Sequence, residues 1–179
     1  GNHALMTPYA DDLCGCIALL IAMELNAALP VEMIPAKTEG YEGFFHLIHM
    51  EGGVEAAKLQ YIIRDHDREQ FEERKILIQR IGELLNDKYG QGTVEVEIKD
   101  QYYNMKEKID PQMHVIDIVL RAMQDEGVAP SVEPIRGGTD GAQLSFKGLP
   151  CPNIFAGGMN FHGKFEYCSL NSMEKAVKV

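Results

Sequence analysis

The stretch Phe44-Phe45-His46-Leu47-Ile48-His49-Met50, followed by Glu51-Gly52-Gly53 and then by Lys58-Leu59-Gln60-Tyr61-Ile62-Ile63-Arg64, decides the fold. Two strand-like runs flank a glycine pair with a strong turn signal, so they read as an antiparallel hairpin. Upstream, Pro30, Pro35 and Gly40 punctuate a connector. Before it, a helix opens after Asp11 and Asp12 and carries Leu13, Ile17, Leu20, Ile21 and Met23. Downstream, Asp67 with Gln70 three residues on has the form of a capping box. Phe71, Leu77, Ile78, Ile81, Leu84 and Leu85 then recur at helical spacing up to Tyr89 and Gly90. Thr93 to Lys99 alternates Val94, Val96 and Ile98 with Glu95, Glu97 and Lys99, the pattern of a strand with one wet face. Helix, strand, strand, helix, strand is the order of an α+β two-layer sandwich, an antiparallel sheet with two helices on one face. Such a domain usually begins with another strand, and the expectation here is that this first strand is missing. His46 and His49, three apart on a strand, are expected to point to opposite faces and to play structural parts.

After Tyr102-Tyr103-Asn104 the pattern changes. Asp110-Pro111 predicts a helix entry, Met113, Ile116, Leu120 and Met123 its apolar stripe, and Gly127 its stop, for a helix over about 111–126. Val132 to Ile135 and Asn153 to Ala156 are unalternating apolar runs that end at glycine pairs, and a capped helix begins near Ser169 or Asn171. This is the pattern of a partial α/β segment. Two strands do not make an independent parallel sheet, so residues 105–179 are expected to lean on the first domain or on another chain, with much exposed apolar surface.

The chain has 179 residues, 45% of them hydrophobic, a net charge of −10 and a pI near 5.0. That field repels phosphate backbones and anionic bilayers, so nucleic acid and membrane are not expected partners. No run reaches the roughly 18 apolar residues of a membrane span. Cys14, Cys16, Cys151 and Cys168 fit neither a disulfide scaffold nor a zinc knuckle, and read as reduced thiols in the cytoplasm.

The densest chemical signal is Pro134-Ile135-Arg136-Gly137-Gly138-Thr139-Asp140-Gly141. Its glycines let backbone amides approach a ligand, and Arg136 offers a fork for a carboxylate; the alternative is a tight turn with Arg136 paired to a surface acid. In Ala156-Gly157-Gly158-Met159-Asn160-Phe161-His162-Gly163, the imidazole of His162 suits either a zinc ion or an ordinary loop hydrogen bond. Tyr61-Ile62-Ile63-Arg64-Asp65-His66-Asp67-Arg68 ends a strand in alternating charges, most simply a solvated surface. His66 and His114 have no ligand-like neighbour at helical spacing.

Six segments in order, Thr38 to Phe44, Tyr61 to Asp65, Asp100 to Met105, Arg136 to Ala142, Leu149 to Phe155 and Phe161-His162-Gly163, resemble the peptidase T family of zinc tripeptide aminopeptidases. The similarity runs from about Pro30 to Val179. The resemblance implies a lid and dimerisation domain over residues 1–103, with 1–16 diverged, and a C-terminal part of an α/β catalytic domain over 104–179. It also implies a homodimer, tripeptide substrates and two zinc ions per parent site. By position, His162 resembles a zinc ligand, Arg136, Gly137, Gly138, Thr139 and Asp140 a substrate-binding loop, and Arg64 a residue for the substrate's terminal carboxylate. The family's other zinc ligands and its general-base Glu have no counterpart here, so no catalytic residue is assigned and the chain is expected to be inactive alone. Thr7-Pro8-Tyr9 stands where the family has His-Pro-Gly. A silent dimerisation or binding module is the alternative reading.

Overall fold

The computed structural model describes residues 2–8, 17–53 and 55–179, with side chains from Ala18 onward. The chain forms two compact units, Gly1–Asn104 with Pro134–Gly137, and Met105–Glu133 with Gly138–Val179.

In the first unit the elements run β1 (Asn2–Pro8), α1 (Ile17–Ala28), β2 (Phe44–Gly52), β3 (Ala57–Arg64), α2 (Arg68–Tyr89) and β4 (Val94–Lys99). The sheet order is β2-β3-β1-β4, antiparallel throughout. The hairpin forms as the sequence predicts, and β3 states its two faces plainly. Ala57, Leu59, Tyr61 and Ile63 are buried, while Lys58, Gln60, Ile62 and Arg64 are half-buried on the other side. Ala18, Ile21, Ala22 and Leu25 of α1 and Phe71, Ile78, Ile81 and Leu85 of α2 join those residues in one core, with Phe45 and Val94. Their spacing of three, four and seven puts one helical stripe on the sheet.

The Asp67 cap is present, with its Oδ1 accepting from the Gln70 amide at 2.9 Å. The Asp67 amide itself donates to Asp65 Oδ1 at 2.9 Å, the place a full capping box gives to the N3 side chain. At the far end of α2 the Asn86 side chain brackets Val94, donating to its carbonyl at 2.8 Å and accepting from its amide at 2.7 Å, which fixes where β4 starts.

Three expectations are corrected. The first strand is not missing: β1 supplies it, and lies in the middle of the sheet. Asn2-His3-Ala4-Leu5-Met6-Thr7-Pro8 has no β-branched apolar residue and ends on a proline, so nothing local marks it as a central strand. It is a strand because β3 and β4 present open backbone edges to either side of it. Residues Asp11 to Cys16, the expected helix opening, lie outside the described residues, and α1 is described from Ile17. Secondly, His46 and His49 lie on one face. The register shifts between Leu47 and His49, so His46 pairs with Ile62 and His49 with Gln60, two residues of the same face of β3. An extra residue on one strand of a pair restarts the alternation, and Ile48 is that residue.

The third correction concerns the second unit, which holds α3 (Lys106–Ile109), α4 (His114–Asp125), α5 (Asp140–Phe146), a short antiparallel ribbon of β5 (Gly158–Met159) with β6 (Tyr167–Cys168), and α6 (Leu170–Lys178). Val132–Ile135 and Asn153–Ala156, expected as strands of an α/β sheet, form none. A strand exists only beside a hydrogen-bonding neighbour, and among the described residues neither run has one. The helix expected over 111–126 is broken at its start. Asp110–Gln112 is a 3-10 turn between α3 and α4, because Pro111 has no amide to continue an α-helical ladder. Gly127, at φ 65°, ends α4 in the left-handed conformation as predicted.

Candidate anion-binding site

The end of the β2–β3 hairpin positions the first candidate side chain. Arg64 closes β3 opposite Phe44, on the face turned away from the helices. Its Nη1 donates to the Tyr102 hydroxyl at 2.8 Å, and its guanidinium carbon lies 5.7 Å from the Tyr102 ring centre. Arg136, in the Pro134–Gly137 segment of the same unit, lies with its guanidinium carbon 4.8 Å from the centre of the Phe44 ring. Phe44 thus adjoins two arginines far apart in sequence, Arg64 as its cross-strand partner and Arg136 over its ring. Among the described residues Arg136 pairs with no surface acid, the simpler of the two sequence alternatives. Its Nη1 donates to the Thr38 carbonyl, and its Nη2 to Thr38 Oγ1 at 2.5 Å and to the Glu42 carbonyl at 3.5 Å. Its buried Nε has no partner among the described residues.

The loop that receives Arg136 is held by a buried ion pair. Arg74 Nε lies 2.8 Å from Asp65 Oδ2, and the Asp65 side chain is 1% exposed. Arg74 also approaches Met33 Sδ at 2.8 Å and the Phe45 ring at 5.9 Å. Gly43 passes over this pair. A Cβ there would meet Asp65 Oδ2, Arg74 Nε at 2.5 Å and the Arg64 carbonyl at 2.6 Å, so no other residue fits. The charged run after Tyr61 is therefore not simply a solvated surface, since its Asp65 is buried.

Beside the site, Tyr103 Oη lies 3.0 Å from both Glu72 and Asp100, and Lys75 reaches the same two carboxylates. Burial, followed by these acceptors, pushes the Tyr103 hydroxyl above its ordinary range. For Lys75 burial works downward, but the hydrogen bonds and charges of Glu72 and Asp100 outweigh it and leave the ammonium raised.

The remaining candidates lie elsewhere. Gly137 stands next to Arg136 with open space where a side chain would go. Gly138, Thr139 and Asp140 belong to the second unit. There Thr139 caps α5, its Oγ1 accepting from the Ala142 amide and from Asn153 Nδ2, each at 3.2 Å, and Asp140 occupies the first turn. His162 is exposed in the turn after β5 at φ 63°, its amide donating to Glu166 Oε2 at 2.9 Å. Among the described residues no group of three or more His, Cys, Asp or Glu side chains is arranged to hold a metal ion.

Residues 11–179 match the model of one family of peptidases. The chain belongs to peptidase family M20/M25/M40. Within that family it is 54% identical over 162 residues to peptidase T of Clostridium novyi (strain NT) and 58% identical to peptidase T of Listeria monocytogenes serotype 4a (strain HCC23). Each alignment covers 90% of this chain and 40% of the relative, so the chain spans about two fifths of the length of these relatives. The fold is similar to that of aminopeptidase PepT from Bacillus cereus ATCC 10987, with a TM-score of 0.72 at 17% identity over 99% of this chain and 49% of that one. The family match begins well before Pro30, where the motifs alone place its start, and leaves Thr7-Pro8-Tyr9 outside it.

The residues that sequence reasoning did not single out are Thr38, Tyr102 and His66. Thr38 and Tyr102 lie within the segments that carry the peptidase T resemblance, which is the signal available for them. His66 stands between two backbone carbonyls, and no spacing rule foretells that.

Proposed function

We propose that this chain carries the carboxylate-gripping part of a peptidase T-type hydrolase that releases the N-terminal residue of tripeptides. The observation behind this reading is two arginines beside Phe44, Arg64 as its cross-strand partner and Arg136 over its ring. Arg64 and Arg136 have no carboxylate partner among the described residues, in a chain with ten more acidic than basic side chains. A substrate's terminal carboxylate supplies the absent anion, and Arg64 is the freer of the two to fork onto it. Gly137, Gly138, Thr139 and Asp140 complete the proposed substrate loop. In the complete peptidase, Arg64→Ala should raise KM for a tripeptide while a C-terminally amidated tripeptide is little affected; an unchanged KM for the free acid overturns the role.

The resemblance also calls for zinc, with His162 as one ligand. The donor set does not fit that ion here, since among the described residues no three His, Cys, Asp or Glu side chains are grouped to hold a metal ion and zinc needs three or four donors. No step is therefore derived through a metal. Residues 1–103 would serve as lid and dimerisation domain. The open backbone edges of β2 and β4 support this, and sedimentation equilibrium tests it. Cys151 and Cys168 carry free thiols, in keeping with the cytoplasm. No described helix is long and apolar enough to cross a membrane.

A further inference from the structure

Both ring nitrogens of His66 face backbone carbonyl oxygens, Nδ1 at 3.2 Å from that of Tyr41 and Nε2 at 3.2 Å from that of Ile135. A neutral imidazole has one N–H and one lone pair, so it satisfies one of these carbonyls and sets its lone pair against the other. The imidazolium donates to both. The residue makes two further contacts, one through its ring and one through its backbone. It meets the Tyr41 ring edge to face at 5.1 Å, and the His66 carbonyl accepts from Asn104 Nδ2 at 3.1 Å.

The two carbonyls belong to the two segments that Arg136 also joins. Tyr41 lies between Thr38 and Glu42, which accept the Arg136 hydrogen bonds, and Ile135 immediately precedes Arg136. We infer that His66 is a positioning residue whose ring, set between the Tyr41 and Ile135 carbonyls, clasps the Ile135–Arg136 segment to the 38–42 loop and so seats Arg136 against Phe44.

The charged neighbours on each element are engaged elsewhere. On the stretch that carries His66, Asp65 is taken by Arg74, Asp67 by the start of α2, Arg64 by Tyr102, and Arg68 lies over the Tyr103 ring. On the 38–42 loop, Glu42 accepts from the Glu39 amide. On the third segment, Arg136 is bound to Thr38. The two carbonyls are thus the ring's hydrogen-bonding partners.

This deepens the carboxylate-gripping reading, because a seated Arg136 pre-forms one side of that grip, and the test separates the two. Nitrogen-15 NMR of the 179-residue chain at one fixed pH should show the amides of Arg136, Thr38 and Glu42 shifted between the parent and His66→Phe, which keeps the ring contact with Tyr41 and removes both ring nitrogens. At that pH the Arg136 Nε–H should exchange about tenfold faster in the Phe variant, the size expected for one lost hydrogen bond. His66→Arg, whose fork offers several donors, should keep the slow exchange. An otherwise dispersed spectrum of the Phe variant reports an intact fold. Segment amides unmoved by His66→Phe, or an Arg136 as protected in the Phe variant as in the parent, overturn the inference. Tri-alanine added to the same samples addresses the other reading. An Arg136 that loses protection in the Phe variant while tri-alanine fails to bind the parent leaves the inference standing and removes the proposed grip; tri-alanine binding that the Phe variant leaves unchanged, with Arg136 equally protected, does the reverse.

Discussion

The two units of this chain differ in what holds them. Among the described residues, all the fully buried apolar side chains except Ile109 and Ala142 belong to the first unit. Among the described residues the second has four α-helices against two but presents Ile118, Leu149, Phe165 and Val177 to solvent, the last at 86% exposure. α4 and α6 bury no residue at all. Its internal ties are polar and local instead. Ser145 Oγ accepts from the Cys151 amide at 3.0 Å, and Gly141 lies so close to the Cys151 carbonyl that a Cβ would come within 2.5 Å of it. Caps and turns are enough to shape a helix, while a cooperative core needs apolar faces that meet.

Hydrogen exchange should separate the units most widely. The amides of Leu59, Tyr61 and Ile63, on a strand paired on both sides, should be protected by orders of magnitude relative to Asn153 to Ala156. Equal protection in the two sets would erase the contrast. Next comes Gly43→Ala, which forces the Asp65–Arg74 pair apart and should cost about 3–5 kcal/mol in urea unfolding. The corresponding change in the second unit, Gly148→Ala, meets open space and only a positive φ, for roughly 1–2 kcal/mol. Leu59→Ala should cost about 2–5 kcal/mol, against about 0.5 kcal/mol or less for the exposed Leu149→Ala. A costly Leu149→Ala would show that the second unit has a core after all.

The smallest effect is one of pH. Hydrogen bonds from Lys88 and then Tyr89 hold the Glu24 carboxyl below its ordinary value of 4.5. A depressed acid stabilises the fold above its unfolded value and stops doing so as pH falls through the folded one. The melting temperature of the parent should therefore slightly exceed that of Glu24→Gln near neutral pH, and the two should converge in acid.

The hairpin, α2 and β4 were legible because their signals are local: a glycine turn, a capping Asp67, and a strict alternation from Val94 to Lys99. β1 was not, since its strand character comes from its neighbours. The same physics, inverted, explains Val132–Ile135 and Asn153–Ala156, whose composition suits strands that no neighbour completes. Within the candidate site, Arg64 and Arg136 stood out by type and motif. That both adjoin Phe44 is a tertiary event. So is the Asp65–Arg74 pair, which spans the turn from β3 into α2. The bulge at Ile48 left no mark on composition, yet it turned His49 to the face of His46.

The central place of β1 also sets an order of assembly. The β2–β3 hairpin has a short loop to close, and α2 can form beside it as soon as both are made. β1 precedes them in the chain but cannot complete its pairing until β4 exists, since His3 lies opposite Lys99. The sheet must therefore close its longest loop late, a high contact order that predicts slow folding for a domain of this size. On the ribosome β1 can pair with β3 as soon as that strand is made, but its other backbone edge waits for β4, and that edge is the place where a stalled or truncated chain would pair with another.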